Sequence, residues 1–332
     1  MVAAPTAQAL ALAAGLIRAG RLVGMPTETV YGLAANALDV AACTSIFAVK
    51  RRPADNPLIV HVLDAAQASA LGDLGPLGQR LAEAFWPGPI TLVVRSRQGG
   101  GTIALRAPAH PVARQLIALS ERPLAAPSAN LSGRPSPTTA QHVAAELAGL
   151  VGLILDGGPT TVGLESTVVD LSAKVPVILR PGAISPEALA AYGVLATAAG
   201  DSHAPSPGTR YRHYRPAIPV VVLVDGPNQS AAQVIDEWAL VLAQAGEVPA
   251  LVWVGDRRPT KWPGRCFASS AAMATGLFAA MRELETKATV LVVAAPPAEG
   301  IGHAIRDRLW RAAGGVFRIA GQLPSVDLGK GD

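Results

Sequence analysis

The stretch KRRPADNPLIVH, residues 50–61, marks the point where the chain changes from helix to strand. The spacing predicts a helix that ends at Lys50 and a strand that begins at Pro57, with a proline-restricted turn between them. Lys50 is the only lysine before Lys174, in a chain with five lysines and twenty-three arginines. One interpretation is a solvated basic turn. The other is a compact ammonium placed beside planar arginine forks to do a different job.

The elements on either side of this stretch alternate between helix and strand. Helices are predicted at residues 5–19, 39–50, 76–86 and 111–119 and from about residue 140, with Asp39 near an N-cap. Strands are predicted at residues 21–25, 57–62, 90–94, 103–106, 153–156, 166–170 and 176–179. Because the two kinds mix without a regular βαβ count, the sequence predicts an α/β or α+β domain with a twisted mixed sheet.

The pattern changes near residue 197. Residues 198–217 are first small and polar, and then hold two of the chain's four tyrosines and three arginines, which is unusual for a simple spacer. From residue 218, strands and helices alternate regularly, which predicts a small open parallel sheet with helices on its faces. We therefore expect a first domain at 1–197, a linker at 198–217 and a second domain at 218–332.

Composition narrows the functional classes. The chain has 332 residues, of which 50% are hydrophobic and 16% charged, so two sizeable cores are feasible. Its net charge of +4 suits anions or nucleic acid without identifying either. The cysteines and histidines show no metal-ligand spacing, and there is no P-loop. Without a signal-peptide pattern or an apolar run of 18 residues, we expect a cytoplasmic protein with no membrane partner.

Cations and hydroxyl groups recur at the ends of the predicted strands. The cations are Lys50, Arg52, Arg106 and Arg180; the hydroxyl-bearing residues are Thr27, Thr29, Thr102, Ser128, Ser132, Ser136, Ser166 and Thr167. Such a set suits a polyanion such as a nucleoside triphosphate, because guanidinium forks bind phosphate or carboxylate oxygens with two hydrogen bonds. Each residue alone also fits an ordinary turn or surface role. Their joint occurrence favours a site.

Eight motifs of the chain resemble, in order, those of the YrdC-type family, and in particular its longer two-domain L-threonylcarbamoyladenylate synthases. They are PTETVYGL (26–33), KRRPADNPLIVH (50–61), WPGPIT (86–91), LRAPAHP (105–111), APSANLSGRPSPT (126–138), ESTVVD (165–170), LRPG (179–182) and SPGTRYRHYRP (206–216). Residues 299–313 resemble the C-terminal accessory domain of that form. The resemblance implies a YrdC-like catalytic domain with a twisted mixed sheet and flanking helices, a linker that acts as a lid, and a smaller Rossmann-like α/β domain.

The resemblance also implies a reaction. In that family a nucleotidyltransferase converts L-threonine, bicarbonate and ATP into threonylcarbamoyl-AMP and pyrophosphate, and a separate machinery transfers the threonylcarbamoyl group to an adenosine of tRNA. Mg²⁺ would arrive with ATP, held by phosphates and water, so no protein metal ligands and no tightly bound organic cofactor are expected. The alternative is a YrdC-type RNA-binding protein without this catalysis. Weak RNA binding beside catalysis also stays open.

Site residues follow from the motif positions that match. The resemblance implies L-threonine binding by Thr29, His61, Arg106, Ala126 and Ser166, and ATP binding by Arg52, Asn56, Thr102, Ser128, Ser136, Arg180 and Tyr211. Lys50 and Arg52 are the expected catalytic cations, because they would offset negative charge that develops during the reaction. Thr29 is preferred to Thr27 as the threonine contact, although both remain open. Arg51 has no implied role.

Overall fold

The structure is a computed structural model that describes residues 1–196, 213–256 and 260–322. It divides the chain into two compact units, which are described separately. Unit 1 comprises Met1–Ser132 and Ser136–Arg210; unit 2 comprises Gly133–Pro135 and Tyr211–Asp332. Tyr211 and most of the expected linker at 198–217 lie outside the described residues. No helix within the described ranges is long and apolar enough to cross a membrane.

Unit 1 is built on one mixed sheet. The strands are β1 (Val2–Ala3), β2 (Val23–Met25), β3 (Gly32–Asn36), β4 (Ile59–His61), β5 (Gly72–Asp73), β6 (Ile90–Ser96), β7 (Thr102–Arg106), β8 (Leu124–Ala125), β9 (Leu153–Leu155), β10 (Thr167–Asp170), β11 (Val177–Arg180) and β12 (Leu195–Ala196). Their order is β1-β9-β2-β3-β8-β4-β7-β6-β10-β11-β12, and β5 pairs with β6. Parallel and antiparallel pairs alternate irregularly, so the predicted mixed sheet is confirmed.

Helices cover both faces of this sheet. They are α1 (Ala7–Arg18), α2 (Val40–Lys50), α3 (Ala65–Leu71), α4 (Gly75–Phe85), α5 (Pro111–Ser120), α6 (Ala140–Leu147) and α7 (Pro186–Ala190). Successive side chains of a strand point to opposite faces. Accordingly, Leu153 and Leu155 of β9 join the core beneath α1 and α5, whereas Ile154 joins the core beneath α2 and α6. The sheet is therefore the middle layer of unit 1.

The stretch at residues 50–61 has the predicted local structure. Asp39 caps α2 by accepting hydrogen bonds from the backbone N–H groups of Ala41 and Ala42, at 2.9 and 3.1 Å. The helix ends at Lys50, and Arg51 stops it by adopting a left-handed conformation with φ of 51°. A turn then leads into β4, in the centre of the sheet. The turn thus joins a helix C-terminus to a central strand.

Unit 2 has a parallel sheet. Its strands are β13 (Val220–Val224), β14 (Pro249–Val254), β15 (Gly264–Phe267), β16 (Val290–Ala294) and β17 (Arg318–Ile319), in the order β15-β14-β16-β13-β17. Its helices are α8 (Ala231–Gln244), α9 (Ser270–Leu284) and α10 (Gly302–Ala312). All residues of β13 and β16 are buried, as expected for parallel strands covered on both faces. The predicted Rossmann-like α/β domain is confirmed.

Candidate active site

Two of the residues predicted to bind threonine lie side by side at the ends of adjacent strands. The parallel pair β4 and β7 places His61 directly opposite Arg106. Both side chains are buried. Ala126 follows β8 on the other side of β4, and its backbone N–H donates to the carbonyl of Ile59 at 2.9 Å, at the beginning of β4 rather than beside His61. Carboxyl ends of parallel strands are where α/β proteins gather their functional groups.

Arg106 is held by acceptors from two other segments. Its guanidinium donates to Glu28 Oε1 at 2.6 Å, to Thr29 Oγ1 at 2.8 Å and to the carbonyl of Gly88 at 3.3 Å. Its two remaining N–H groups make no hydrogen bond to the residues that the structure describes. Arg106 therefore has two donors left for a further anion, on a side chain that is already fixed in place.

The two threonines of the PTETVYGL motif have different positions. The Thr27 hydroxyl donates to the carbonyl of Val30 at 2.6 Å, so the Thr29 hydroxyl must be the donor in the 2.8 Å contact between them. Thr29 also accepts from Arg106. Thr29 is thus the member of the pair beside Arg106, and Thr27 lies behind it as its support. This geometry agrees with the preference for Thr29, which stays a prediction as a substrate contact.

Burial and charge act together on the ionisable groups around Arg106. Burial lowers the pKa of His61 to about 3, and the positive charge of Arg106 adds to that effect, so the imidazole is neutral near pH 7. Burial alone would raise the pKa of the Glu28 carboxyl, but Arg106 and the backbone N–H groups of Glu28 and Ala109 together outweigh it and hold that pKa below its usual value. The group around Arg106 is therefore an ion pair with a neutral histidine beside it.

Lys50 is buried, and its ammonium group bonds to the backbone of another segment. Its side chain is 1% exposed, and its ammonium donates to the backbone carbonyls of Ser128 and Asn130. Burial lowers the pKa of Lys50 to about 7, and repulsion from Arg52 contributes. Lys50, the last residue of α2, thereby stabilises the position of the loop that contains Ser128, one of the residues predicted to bind ATP. The structure brings Lys50 and Ser128 together across 78 positions of sequence.

Arg52 and Asn56 belong to the turn before β4. The Arg52 guanidinium donates to the backbone carbonyls of Asn56 and Pro57, at 3.3 and 3.1 Å, which closes the turn. Arg51 is exposed, in agreement with its lack of an implied role. Thr102 is exposed at the beginning of β7, opposite Arg95, whereas Arg106 ends that strand. The structure therefore does not bring Thr102 beside Arg106.

In a second cluster, Ser166, which is predicted to bind L-threonine, contacts Arg180, which is predicted to bind ATP. Arg180 donates to the carbonyl of Ser166 at 3.0 Å and to its hydroxyl at 3.2 Å. Ser166 Oγ also lies 2.8 Å from Thr91 Oγ1. The neighbouring carboxylate of Glu165 accepts a hydrogen bond from the hydroxyl of Ser136. In this cluster, as around Arg106 and Lys50, acceptors of the protein itself bond to the donors predicted to bind substrate.

Glu28 and Glu165 are acidic residues of the site that the motif positions did not assign. Each carboxylate bonds to a residue with an implied substrate role. A signal for Glu28 exists in the sequence, because it is the only acidic residue among the first 38. Its burial at the end of an apolar strand predicts a cationic partner, since buried carboxylates are rarely unpaired. For Glu165 we find no comparable signal.

The chemistry of the donor set suits anions more than metal ions. Among the residues that the structure describes, no group of three or more His, Cys, Asp or Glu side chains is arranged to hold a metal ion. A cavity of about 500 Å³ lies near the ends of β4 and β7, lined in part by Leu63, Trp86, Ala107 and Arg114. No predicted site residue within the described part of the chain lines that cavity. The candidate site is thus the group of buried cations and hydroxyls itself.

Two protein-family models match successive parts of the chain. A family model described as "Telomere recombination" matches residues 15–182. A second, described as "Threonylcarbamoyl-AMP synthase, C-terminal domain", matches residues 184–314. Together these matches cover the mixed sheet of unit 1 except β1, and the parallel sheet of unit 2 except β17.

Individual relatives are similar over nearly the whole chain. The threonylcarbamoyl-AMP synthase of Pyrococcus abyssi is 41% identical over 331 residues, covering 93% of this chain and 94% of its own length. That of Bacillus subtilis is 41% identical over 326 residues, covering 92% and 93%. The crystal structure of P. abyssi Sua5 complexed with L-threonine matches with a TM-score of 0.87 and 38% identity, covering 94% of this chain and 96% of that chain.

Proposed function

This chain belongs to the threonylcarbamoyl-AMP synthase family of enzymes, and we propose that it converts L-threonine, bicarbonate and ATP into threonylcarbamoyl-AMP and pyrophosphate. The observation that carries the substrate assignment is the Arg106 group. A buried guanidinium with two unused N–H groups, fixed by Glu28 and Thr29 and next to a neutral His61, suits the carboxylate of a small amino acid. The motif order and the full-length similarity support the same assignment.

The threonine side of the site would recognise both ends of a zwitterion. The free N–H groups of Arg106 would bind the carboxylate with two hydrogen bonds. Thr29, whose hydroxyl hydrogen is already donated to Thr27, would offer an acceptor. His61, Ala126 and Ser166 would form the remaining walls, which are buried and therefore suited to excluding water.

The ATP side would work by neutralising charge. The chain would act as a nucleotidyltransferase, in which an oxygen of the N-carboxylated threonine attacks the α-phosphorus and pyrophosphate leaves. Lys50 and Arg52 would lower the energy of the charge that develops, with ATP contacts from Asn56, Thr102, Ser128, Ser136 and Arg180. Mg²⁺, supplied with ATP, would neutralise the phosphates, which is compatible with a donor set that is rich in cations and hydroxyls. This chemistry needs no covalent protein intermediate.

The product and the carbamate intermediate are both reactive, which affects how the product is used and how the site is protected from water. Threonylcarbamoyl-AMP is a reactive mixed anhydride, so we propose that a separate transfer machinery uses it for tRNA modification, and that this takes place in the cytoplasm. The carbamate is labile in water, so we propose that the linker at 198–217 closes over the site as a lid and that Tyr211 contacts the nucleotide.

Substituting Tyr211 with alanine tests the lid. We expect the KM for ATP to rise about tenfold, because stacking of a base on an aromatic ring contributes roughly 1–3 kcal/mol. The KM for threonine should change less. Steady-state kinetics on the full chain measures both values, with Tyr192→Ala in unit 1 as an aromatic control. Equal effects of the two substitutions on the KM for ATP would count against the lid.

Pyrophosphate release tests the proposed function itself. We expect turnover of ATP to require both L-threonine and bicarbonate, and to fall by about two orders of magnitude or more when either is omitted, since both supply atoms of the product. The measurement is continuous detection of pyrophosphate, with the adenylate product identified by mass spectrometry. Turnover that continues without threonine, or equally with any amino acid, would contradict the proposal. Salt-sensitive RNA binding without turnover would instead favour the RNA-binding alternative.

A further inference from the structure

Glu28 has an unusual position for a counter-ion. The residue is 8% exposed, and only Oε1 bonds to Arg106, at 2.6 Å. Oε2 is buried and accepts no hydrogen bond from the residues that the structure describes, although the backbone N–H groups of Glu28 and Ala109 lie near enough to act on the carboxylate. A buried carboxylate oxygen without a donor is costly. It is therefore suited to a donor that arrives with the substrate.

The substrate amino acid brings such a donor. If its carboxylate binds the two unused N–H groups of Arg106, its α-ammonium lies only one carbon atom away from that carboxylate. Glu28 Oε1 lies 2.6 Å from the same guanidinium, which places the Glu28 carboxylate next to the group that would bind the substrate. Thr29 Oγ1, also on Arg106, offers a neutral acceptor at the same place.

We propose that Glu28 binds the α-ammonium of the substrate amino acid and accepts a proton from it, so that the neutral amine can react with bicarbonate. This inference rests on the proposed function. In the first step, Glu28–COO⁻ and R–NH3⁺ give Glu28–COOH and R–NH2. In the second, R–NH2 and HCO3⁻ give R–NH–COO⁻ and H2O, as the nitrogen forms a bond to carbon and hydroxide leaves with a proton from the amine. Glu28 then releases its proton to solvent.

The charges around Glu28 favour this order of events. Arg106, together with the backbone N–H groups of Glu28 and Ala109, holds the carboxyl ionised against the opposing effect of burial. When the substrate carboxylate shares Arg106, that restraint weakens, and a buried carboxyl becomes a better proton acceptor. Among the residues that the structure describes, the other ionisable groups that act on Glu28 are His61 on β4 and His110 at the start of α5. Burial lowers the pKa of both, so neither changes charge above pH 7.

The competing interpretation is that Glu28 only positions Arg106. The two interpretations differ in pH dependence and in the step that they affect. A positioning role predicts the same fractional loss at every pH and in both directions of the reaction. A proton acceptor is needed only before the amine reacts with bicarbonate, and solvent base can replace it as the pH rises.

The test compares Glu28→Gln with the wild-type full chain between pH 6.5 and 9.5. We expect kcat/KM for threonine to fall about 10²-fold or more at pH 7, and the deficit to shrink towards pH 9.5, where free threonine supplies the neutral amine. Glu83→Gln, an exposed residue of α4, is the control and should match the wild type. A pH-independent deficit, or no deficit, would overturn the inference.

The reverse reaction separates this inference from the proposed function. ATP formation from threonylcarbamoyl-AMP and pyrophosphate in a single turnover does not involve an ammonium group. We expect Glu28→Gln to lower this activity at least tenfold less than it lowers the forward reaction at pH 7, and the activity that remains also demonstrates that the variant is folded. Loss of both directions to the same extent would overturn the role of Glu28. Absence of both directions in the wild type would instead refute the proposed function.

Discussion

Replacing Arg106 with alanine is expected to raise the KM for L-threonine by about 10²-fold or more, while the KM for ATP changes by less than about threefold. The reason is the position of its guanidinium. It is buried, and it donates hydrogen bonds to Glu28, Thr29 and the carbonyl of Gly88. Its two other N–H groups have no hydrogen-bond partner among the described residues. Loss of one member of a buried, hydrogen-bonded charge pair typically costs about 2–5 kcal/mol, which corresponds to this range. Initial-rate kinetics with each substrate varied in turn provides the measurement.

The same substitution also lowers the free energy of unfolding, so the experiment must separate the loss of stability from the loss of threonine binding. Without Arg106, the Glu28 carboxylate stays buried without its cation, at a cost of about 3–5 kcal/mol to the free energy of unfolding. The pair Glu28→Gln with Arg106→Gln removes both charges and should recover much of that stability in thermal unfolding, yet not the affinity for threonine. Arg95→Ala, at an exposed position of β6, is the matched control. A larger effect on ATP than on threonine would contradict the assignment of Arg106.

The elements that the sequence predicts well are those whose signals are local. Asp39 and the stop at Lys50 lie within a dozen residues of each other, and the structure confirms both. In contrast, α3 and β3 were not predicted. The seven residues of α3, AAQASAL, carry little apolar periodicity, and only Asp64 marks its beginning. β3 starts inside a motif that reads as a polar turn.

Strand order could not be predicted, because it depends on pairs that are distant in sequence. β1 pairs with β9, whose residues lie about 150 positions later, and no local pattern reports such a pairing. The same limit applies to the site. Motif positions indicate which residues belong to it, but the bonds from Arg106 to Glu28 and from Lys50 to Ser128 each span 78 positions. These partners follow from the register of β4, β7 and β8, which only the folded chain defines.

For Lys50, the contacts of the folded chain change the role that the sequence suggests. The sequence suggests an ammonium that faces phosphates, whereas in the structure that ammonium bonds to the carbonyls of Ser128 and Asn130. The two roles are compatible if the loop and the phosphates share the ammonium, which has three donors. In that case Lys50 acts on ATP both through its charge and by fixing Ser128. Its removal should then affect ATP more strongly than threonine.

Substituting Lys50 with methionine is accordingly expected to lower kcat/KM for ATP by about 10²–10³-fold, the usual range for losing one preorganised charge donor. Methionine keeps most of the length of the side chain, so the core packing is largely preserved. The control is Arg51→Asn, the exposed neighbour with positive φ, where asparagine tolerates the left-handed conformation. Its kcat/KM should stay within about twofold of the wild type. Comparable losses in both variants would return residues 50–52 to the role of a basic turn.

The pH dependence of stability gives Lys50 an independent test. Burial lowers its pKa to about 7 in the folded chain, against 10.5 for an unperturbed lysine. Between these two values the unfolded state holds more protons than the folded state, so the contribution of Lys50 to stability rises with pH and is flat below pH 7. The wild type should therefore gain free energy of unfolding relative to Lys50→Met across this window, by at most about 1.4 kcal/mol per pH unit. Denaturant unfolding at pH 6, 8 and 9.5 measures the difference. A constant difference would mean that the two carbonyls keep the buried ammonium charged throughout, and its charge would then be available to phosphates at every pH.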